Sequence, residues 1–448
     1  MTLRTRARAV AARLRGAGHE ALFAGGCVRD RLRGETPQDF DIATSATPVE
    51  VQALFPRTVP VGAAFGVVIV MHEDDSFEVA TFREDVGIAD GRHPAHVRFA
   101  DAEADAKRRD FTVNGMFEDP ETGDVRDYVG GRRDLKARVI RTIGDPSARF
   151  REDYLRLLRA VRFATVLGFR IEPATRRAVR AHADGIEHVS AERIRDELTK
   201  ILCSGRGGRG LGLLKETGLL DRILPEVAAL DGVEQPSRWH PEGDVFTHTR
   251  MMLDSYAGGE PAVALAALLH DVGKAPTAET NKRGHPAFPR HARVGADMAV
   301  EIMRRLRYSN RVIDEVEELI ADHMTWPALP GMREAKRRRY LLRDTLDHHL
   351  ALHELDCAAC HNDLTAHAYA LAEKARLDAE PPPVSPLLNG HALQELGFRP
   401  GPAMGTILEA LVDAQLEGDV ADAETARKFI LARFSPPDGK PLAEGRVQ

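Results

Sequence analysis

The run Glu20-Ala21-Leu22-Phe23-Ala24, closing on Gly25-Gly26, constrains this chain more than any other feature. It reads as a short buried strand, and the paired glycines let the backbone turn tightly and approach a ligand before a helix opens at about Cys27. Backbone N–H groups at such a helix start, with Arg29 nearby, suit a triphosphate. Residues 39 to 43 then read as a second strand, in which side chains alternate faces, so Asp39 and Asp41 project from the same side. Adjacent carboxylates repel unless a cation sits between them. Hard divalent ions take oxygen ligands, and Mg²⁺ keeps water and substrate phosphates in its shell, so the pair reads as a metal seat. For an isolated Asp-x-Asp a solvated turn is the ordinary alternative, and the preceding Gly-Gly turn favours the metal. Glu78, inside the apolar strand Phe77 to Phe82, is a third candidate carboxylate; pairing with Arg83 is its other reading.

Length matters next. At 448 residues the chain exceeds what one core usually serves, so two to four domains are expected. No apolar run approaches the roughly 18 residues a spanning helix needs. The basic start from Arg4 to Arg15 lacks the apolar stretch of an export signal. A cytoplasmic protein with no membrane contact is expected, and four cysteines in such a setting argue against a disulfide framework. Cys357-Ala358-Ala359-Cys360-His361 has the spacing of c-type haem attachment, which requires an exported protein. Because it continues the helical run His353 to Asp356, small buried cysteines on a helix are expected instead. The net charge of −6 does not by itself favour a polyanionic partner. Basic clusters at Arg4 to Arg15, Arg176 to Arg180, Arg304 to Arg311 and Arg333 to Arg343 nevertheless offer local phosphate contacts.

Strand and helix signals alternate to about residue 142, and helices dominate beyond. Residues 149 to 167 place Tyr154, Leu157, Leu158 and Val161 on one stripe and Glu152, Arg156 and Arg159 on another. Ser190 caps a further helix, a glycine-rich turn at Gly205 to Gly212 interrupts the helices, and Glu380-Pro381-Pro382-Pro383 reads as a stiff linker before a helical tail. The polar stretch from Arg83 to Arg98, with Gly87, Gly91 and Pro94, reads as a mobile loop or an ordinary surface loop.

Five segments in order carry a resemblance: Gly25-Gly26-Cys27-Val28-Arg29-Asp30, Asp39-Phe40-Asp41, Arg108-Arg109-Asp110-Phe111-Thr112-Val113-Asn114, Asp127-Tyr128-Val129-Gly130-Gly131, and Glu152-Asp153 followed by Arg156 and Arg159. They resemble the catalytic motifs of the class II tRNA nucleotidyltransferases, and the resemblance extends over nearly the whole chain. It implies an α+β architecture, with a small mixed α/β, polymerase-beta-like head at 1–142, a helical neck and body at 143–235, an HD domain at 236–380 and a helical tail at 381–448. It implies tRNA, CTP and ATP as partners and Mg²⁺ as cofactor. Asp39 and Asp41 would hold two metals, and Gly25, Gly26 and Arg29 would cradle phosphates. Arg109, Asp110 and Asn114 would read the ribose, Asp127 with Gly130-Gly131 would form a hinge, and Asp153 and Arg156 would read the base, with Arg159 beside them. Relatives that add the terminal adenosine have a loop like 83–98, so CCA or A addition is expected over CC addition alone.

His248, the pair His270-Asp271, and Asp356 look like the H…HD…D ligands of the HD phosphohydrolases, with His291 and His323 as additional candidates. Imidazoles and carboxylates from several helices can hold a second divalent ion that activates water. The other reading is an HD fold kept as an RNA-binding scaffold. Two alternatives to tRNA end addition stay open: a bacterial poly(A) polymerase, which shares the head motifs, and an HD phosphohydrolase whose head binds RNA. Oligomeric state is not readable.

Overall fold

The computed structural model describes residues 2–436 apart from 63–64, 89–93, 237, 239 and 380–384, and it divides into two compact units, Met1–Ile320 and Ala321–Gln448. The expected linker at 380–383 therefore lies outside the described residues.

The first unit opens with helix α1 (Leu3–Gly16), strand β1 (Ala21–Ala24), helix α2 (Gly26–Leu32), strand β2 (Asp41–Thr44) and helix α3 (Pro48–Leu54). Strands β3 (Thr58–Gly62), β4 (Val67–His72), β5 (Asp75–Thr81), β6 (Arg83–Ile88) and β7 (Pro94–Phe99) follow, then helix α4 (Ala102–Arg108), strands β8 (Met116–Glu118) and β9 (Val125–Asp127), and helix α5 (Gly131–Ala137). Seven strands form one sheet in the order β3-β4-β5-β2-β1-β8-β9, antiparallel except where β2 runs parallel to β5. Central strand β1 is apolar throughout because both its faces are covered. Phe23 packs with Ile42, Phe77 and the α1 residues Val10 and Leu14, while Leu22 and Ala24 pack with Phe82, Ala102 and Phe117 on the other side.

Two expectations for the head are corrected. Strand β2 begins at Asp41, and Asp39 lies in the approach to it. The ladder ends at the pair Ala24↔Asp41, because β1 there turns into α2 and offers no further partner. The segment 83–98 is a two-stranded ribbon, β6 against β7, with Arg83 opposite Phe99. Its tip, including Gly91, lies outside the described residues. A ribbon of two strands satisfies its own backbone without an apolar face on each side, so polar composition hid it.

Helix α5 is anchored by Asp127, whose carboxylate accepts from the backbone N–H groups of Val129, Gly131 and Arg132 at 3.2, 2.8 and 2.9 Å. Gly131 leaves no room for a side chain, since an added Cβ would sit 2.3 Å from the Thr112 carbonyl oxygen and 2.7 Å from Met116 Cγ. Gly131→Ala is accordingly expected to destabilise the head by about 1–3 kcal/mol. A urea midpoint equal to that of the unmodified protein would contradict this.

Next come helices α6 (Pro146–Glu152), α7 (Leu155–Leu167), α8 (Pro173–Ala181), α9 (Ala191–Leu202) and α10 (Gly207–Glu216). The single helix expected from 149 to 167 is thus broken at Asp153. That residue is extended, with φ −154°, and its carboxylate accepts the Leu155 N–H at 3.0 Å, a local bond that competes with helix continuation. Ser190 occupies the cap position of α9 without a side-chain capping bond. The glycine-rich stretch is largely helical. Within α10, Cβ atoms at Gly208 and Gly210 would come within 2.0 Å of the Arg250 carbonyl oxygen and 2.3 Å of Ile201 Cγ2, so those glycines serve close helix packing. The rest of the unit is mainly helical, including Val245–Ser255, Pro261–Leu269 and His291–Arg305, with a short hairpin of Glu279–Thr280 against Pro286–Ala287.

The second unit contains Glu334–Leu341, Leu346–Ala359, Thr365–Asp378, Pro402–Leu416 and Ala423–Arg433 among its helices. One of its apolar clusters gathers around Trp326, Tyr340 and Leu350, another around Leu393, Leu411 and Ile430. Cys357 is buried on its helix as expected, 3.7 Å from the His353 ring nitrogens, and burial pushes its thiol up to about 12. No helix among the described residues is long and apolar enough to cross a membrane.

Candidate functional site

The sheet register assembles the site. Ala24 pairs with Asp41 and Ile42 with Val79, so the glycine turn, Asp41 and Glu78 converge on a cavity of about 630 Å³ that Asp39 also lines. Asp41 is pushed up to about 7, first by burial, then by Glu78 and Asp39, with Arg109 acting in the opposite direction. A buried carboxylate made costly to ionise with two others beside it fits a divalent cation, whose charge reverses that cost. Arg83 lines the same cavity and donates to the Phe65 carbonyl oxygen.

Gly25 has φ 72°, and a Cβ there would lie 3.2 Å from Arg109 Nη1 and 3.7 Å from Asp41 Oδ2. A side chain would strain the turn and crowd the carboxylates. The Gly25 N–H is already used, donating to the Met116 carbonyl at 3.3 Å, so only part of the expected phosphate cradle is available from the turn.

Opposite the carboxylates stands an arc of guanidiniums, each held by an acid or an amide. Arg29 donates to Asn114 Oδ1 at 2.7 Å and to Asp30 Oδ1 at 2.8 Å. Arg109 grips Asp105 through Nε and Nη2 at 3.1 and 3.0 Å. Asp110 is buried and receives Arg159 Nε at 2.8 Å and Asn114 Nδ2 at 3.3 Å. Burial works to raise the Asp110 pKa, but Arg159, with Arg156 behind it, holds the carboxyl below its ordinary range. Both oxygens of Asp110 are thus occupied, and it fixes its neighbours in place.

Glu152, Asp153 and Arg156 line the same cavity. Arg156 donates to Glu152 Oε2 at 2.6 Å and to the Arg108 carbonyl at 3.2 Å. Asp153 is clasped by Arg193 of α9 at 3.2 and 2.9 Å, one bond to each oxygen. Sequence reasoning placed Arg193 at a helix start without giving it a role, and it missed Asp105, which holds Arg109. Arg193 cannot be paired with Asp153 from spacing, whereas Asp105 stands four residues before Arg109, a helical spacing that could have found the pair.

A second constellation lies elsewhere in the first unit. His248, His270 and Asp271 each present a ligand atom within 4.8 Å of the others, and His291 Nε2 lies 3.6 Å from Asp271 Oδ1. Glu242, also missed, sits 2.7 Å from His248 Nδ1 and 2.9 Å from His240 Nδ1. His270 Nδ1 lies 3.1 Å from the Ala267 carbonyl, so each of these rings is oriented through its δ nitrogen, as metal-binding imidazoles are. Lys274 donates to Asp271 Oδ2 and to Gln235 Oε1, both at 2.6 Å. The donor set suits a divalent ion. His323 and Asp356 belong to the second unit, where His323 begins a 3-10 segment and Asp356 lies in Leu346–Ala359.

Comparison with known proteins agrees with this layout. The family model described as "Poly A polymerase head domain" matches residues 21–141, "Probable RNA and SrmB- binding site of polymerase A" matches 168–230, and "HD domain" matches 244–351. The chain is 35% identical to an A-adding tRNA nucleotidyltransferase of Deinococcus radiodurans over 427 residues, covering 92% of this chain and 94% of that protein. It is 47% identical to a CCA-adding enzyme of Geobacillus thermodenitrificans over 212 residues, 47% of this chain and 52% of the relative, so the match spans about half that protein's length. The crystal structure of the Bacillus stearothermophilus CCA-adding enzyme in complex with CTP is similar, with TM-score 0.72 and 28% identity, covering 97% of this chain and 98% of the other.

Proposed function

This chain belongs to the class II tRNA nucleotidyltransferases with a C-terminal HD domain, and from that premise we propose that it adds CCA, or its terminal A, to tRNA 3′ ends from CTP and ATP without a nucleic-acid template. The observation that carries the reading is the single cavity in which Asp39, Asp41 and Glu78 face the guanidinium arc and the Glu152-Asp153-Arg156 group. Poly(A) polymerase shares the head, but colinearity with a tRNA-acting relative along 92% of the chain favours tRNA. The accompanying domain reading is head 1–142, neck and body 143–235, HD domain 236–380 and tail 381–448, in a cytoplasmic setting.

In the proposed reaction the tRNA 3′ oxygen bonds to the α-phosphorus of the incoming triphosphate as the bond to the β-phosphate oxygen breaks and pyrophosphate leaves. Asp39 and Asp41, with Glu78, would hold divalent ions, taken as Mg²⁺, which when bound lower the pKa of the 3′ hydroxyl and neutralise the leaving pyrophosphate. Arg29 and the α2 start would take up the triphosphate. Arg109 and Asn114, held by Asp105 and Asp110, would meet the ribose and its 2′ hydroxyl. Asp153 and Arg156, with Arg159 behind them, would meet the base edge. Tight positioning of these groups before substrate arrives lowers the cost of ordering them in the reaction. Incubation with tRNAs lacking three, two or one terminal nucleotides, supplied with CTP, ATP or both, tests the reading. Extension of none of them would overturn it, and the pattern of extension separates CCA from A addition.

The His248–His270–Asp271 group supports a second, separate chemistry, metal-dependent phosphoester hydrolysis in the HD domain. His270→Ala with Asp271→Ala is expected to abolish hydrolysis of a generic phosphodiester and divalent-ion uptake there by calorimetry, while nucleotide addition continues. A folded double variant that no longer extends tRNA would contradict the separation.

A further inference from the structure

Away from the catalytic cavity, the first unit contains another cleft, of about 650 Å³, whose charged lining is Arg33, Arg132, Lys136, Arg138, Arg206 and Glu35. Five cations against one carboxylate is a strong local excess in a chain of net charge −6. Two of the guanidiniums are fixed in place. Arg33 lies over the Phe169 ring, 5.6 Å from its centroid, with Nη2 2.8 Å from Glu35. Arg206 Nη1 donates to the Val166 carbonyl at 3.1 Å and passes so close to Gly168 that a Cβ there would lie 2.7 Å away. Arg132, Lys136 and Arg138, on α5 and its C-terminal cap, are exposed, and no ion pair joins them to another described residue. The negative end of α5 accounts for Lys136 and Arg138 at about 0.3–1 kcal/mol each. It does not account for Arg33, Arg132 or Arg206, which come from other segments or the other end of the helix.

The position of the cleft is informative. Helices α2 and α7 both start at the catalytic cavity, with Gly26 and Leu155 in its wall, and both end at this cleft, with Leu32 and Leu167 in its wall. Their 7 and 13 residues, at about 1.5 Å each, separate the two places by about 10–20 Å. Cations drawn from several segments, over a floor that includes Leu32, Leu135 and Leu167, suit successive phosphates with ribose edges between them. A lone anion would need fewer cations. We propose that this cleft binds the sugar–phosphate backbone of the RNA substrate a few nucleotides behind its reacting end. The proposal rests on the tRNA reading above.

The test uses the full chain with Arg132→Glu and Lys136→Glu together, and a milder Arg132→Gln, Lys136→Gln pair in case charge reversal disturbs α5. Binding of tRNA lacking its terminal nucleotides is followed by fluorescence anisotropy across a salt series, beside CTP affinity and the kinetics of addition. Loss of two phosphate contacts should weaken tRNA binding at 0.1 M salt on the order of tenfold or more and flatten the salt slope by about 1–2. The KM for tRNA should rise while kcat and CTP affinity hold. Unchanged tRNA affinity and slope in both variants, with wild-type addition intact, would overturn this inference alone. Wild-type protein that neither binds nor extends tRNA would overturn the functional reading and this inference with it. Inorganic tripolyphosphate shielding Lys136 from amine labelling, where tRNA does not, would reassign the cleft to a free polyphosphate and overturn the RNA assignment.

Discussion

Asp41→Ala and Asp39→Ala are each expected to lower nucleotide addition by more than about a hundredfold, at least about 3 kcal/mol of transition-state stabilisation. The two aspartates reach the cavity differently, Asp41 as the first residue of β2 against the glycine turn and Asp39 from the exposed approach. Asp41 is the one burdened by burial and by Glu78. A carboxyl whose folded-state pKa is raised costs stability as pH climbs from the ordinary carboxylate range towards about 7. Asp41→Asn, which keeps the shape and removes the charge, should therefore be no less stable than the parent at pH 8 in chelator while it loses activity. Single-turnover addition and thermal melts of the same preparations measure both sides. Near-normal addition by the Ala variants would remove the aspartates from the catalytic role, and a large drop in melting temperature for Asp41→Asn would mean its charge serves the fold.

What could be read from the sequence was what local chemistry decides. The strand ending on Gly25-Gly26 and the helix after it follow from an apolar run and a turn that requires glycine at φ 72°. Strand alternation put Asp39 and Asp41 on one side and a lone acid in an apolar strand singled out Glu78, while Asp153 joined them only through the motif resemblance. What failed depended on partners that no local periodicity marks. Strand β2 starts at Asp41 because β1 has no residue beyond Ala24 to pair with. The glycines of α10 looked like a turn, yet they admit the Arg250 carbonyl and Ile201. Asp153 looked like a helical residue and instead ends α6, free to meet Arg193 forty residues on. Glu242 was invisible as the partner of His248, since it lies before the helix and carries no periodic signal.

Asp153→Ala and Arg156→Ala are expected to erode the choice of CTP and ATP over UTP and GTP, by roughly 10² to 10⁴ if both contacts fail at about 1–3 kcal/mol each. Cytosine and adenine both present an amino donor beside a ring-nitrogen acceptor, whereas guanine and uracil present a carbonyl acceptor beside an N–H donor. A carboxylate and a guanidinium side by side complement the first pattern and clash with the second. The break at Asp153 sharpens this expectation. The two side chains do not share a helical face, so their relative placement depends on what holds each one. Arg193 holds both Asp153 oxygens, and Glu152 with the Arg108 and Arg149 carbonyls holds Arg156. A surface ion pair would be worth at most about 1 kcal/mol and carry no base preference. Arg193→Lys should accordingly weaken selection without abolishing addition, because a lysine keeps the charge but cannot reach both oxygens in a planar fork. Competition assays with all four triphosphates separate the cases: unchanged preference in the Asp153 and Arg156 variants would rule out base reading by this pair. Lost preference in both with Arg193→Lys indistinguishable from the parent would leave the pair in place and remove Arg193 from its support.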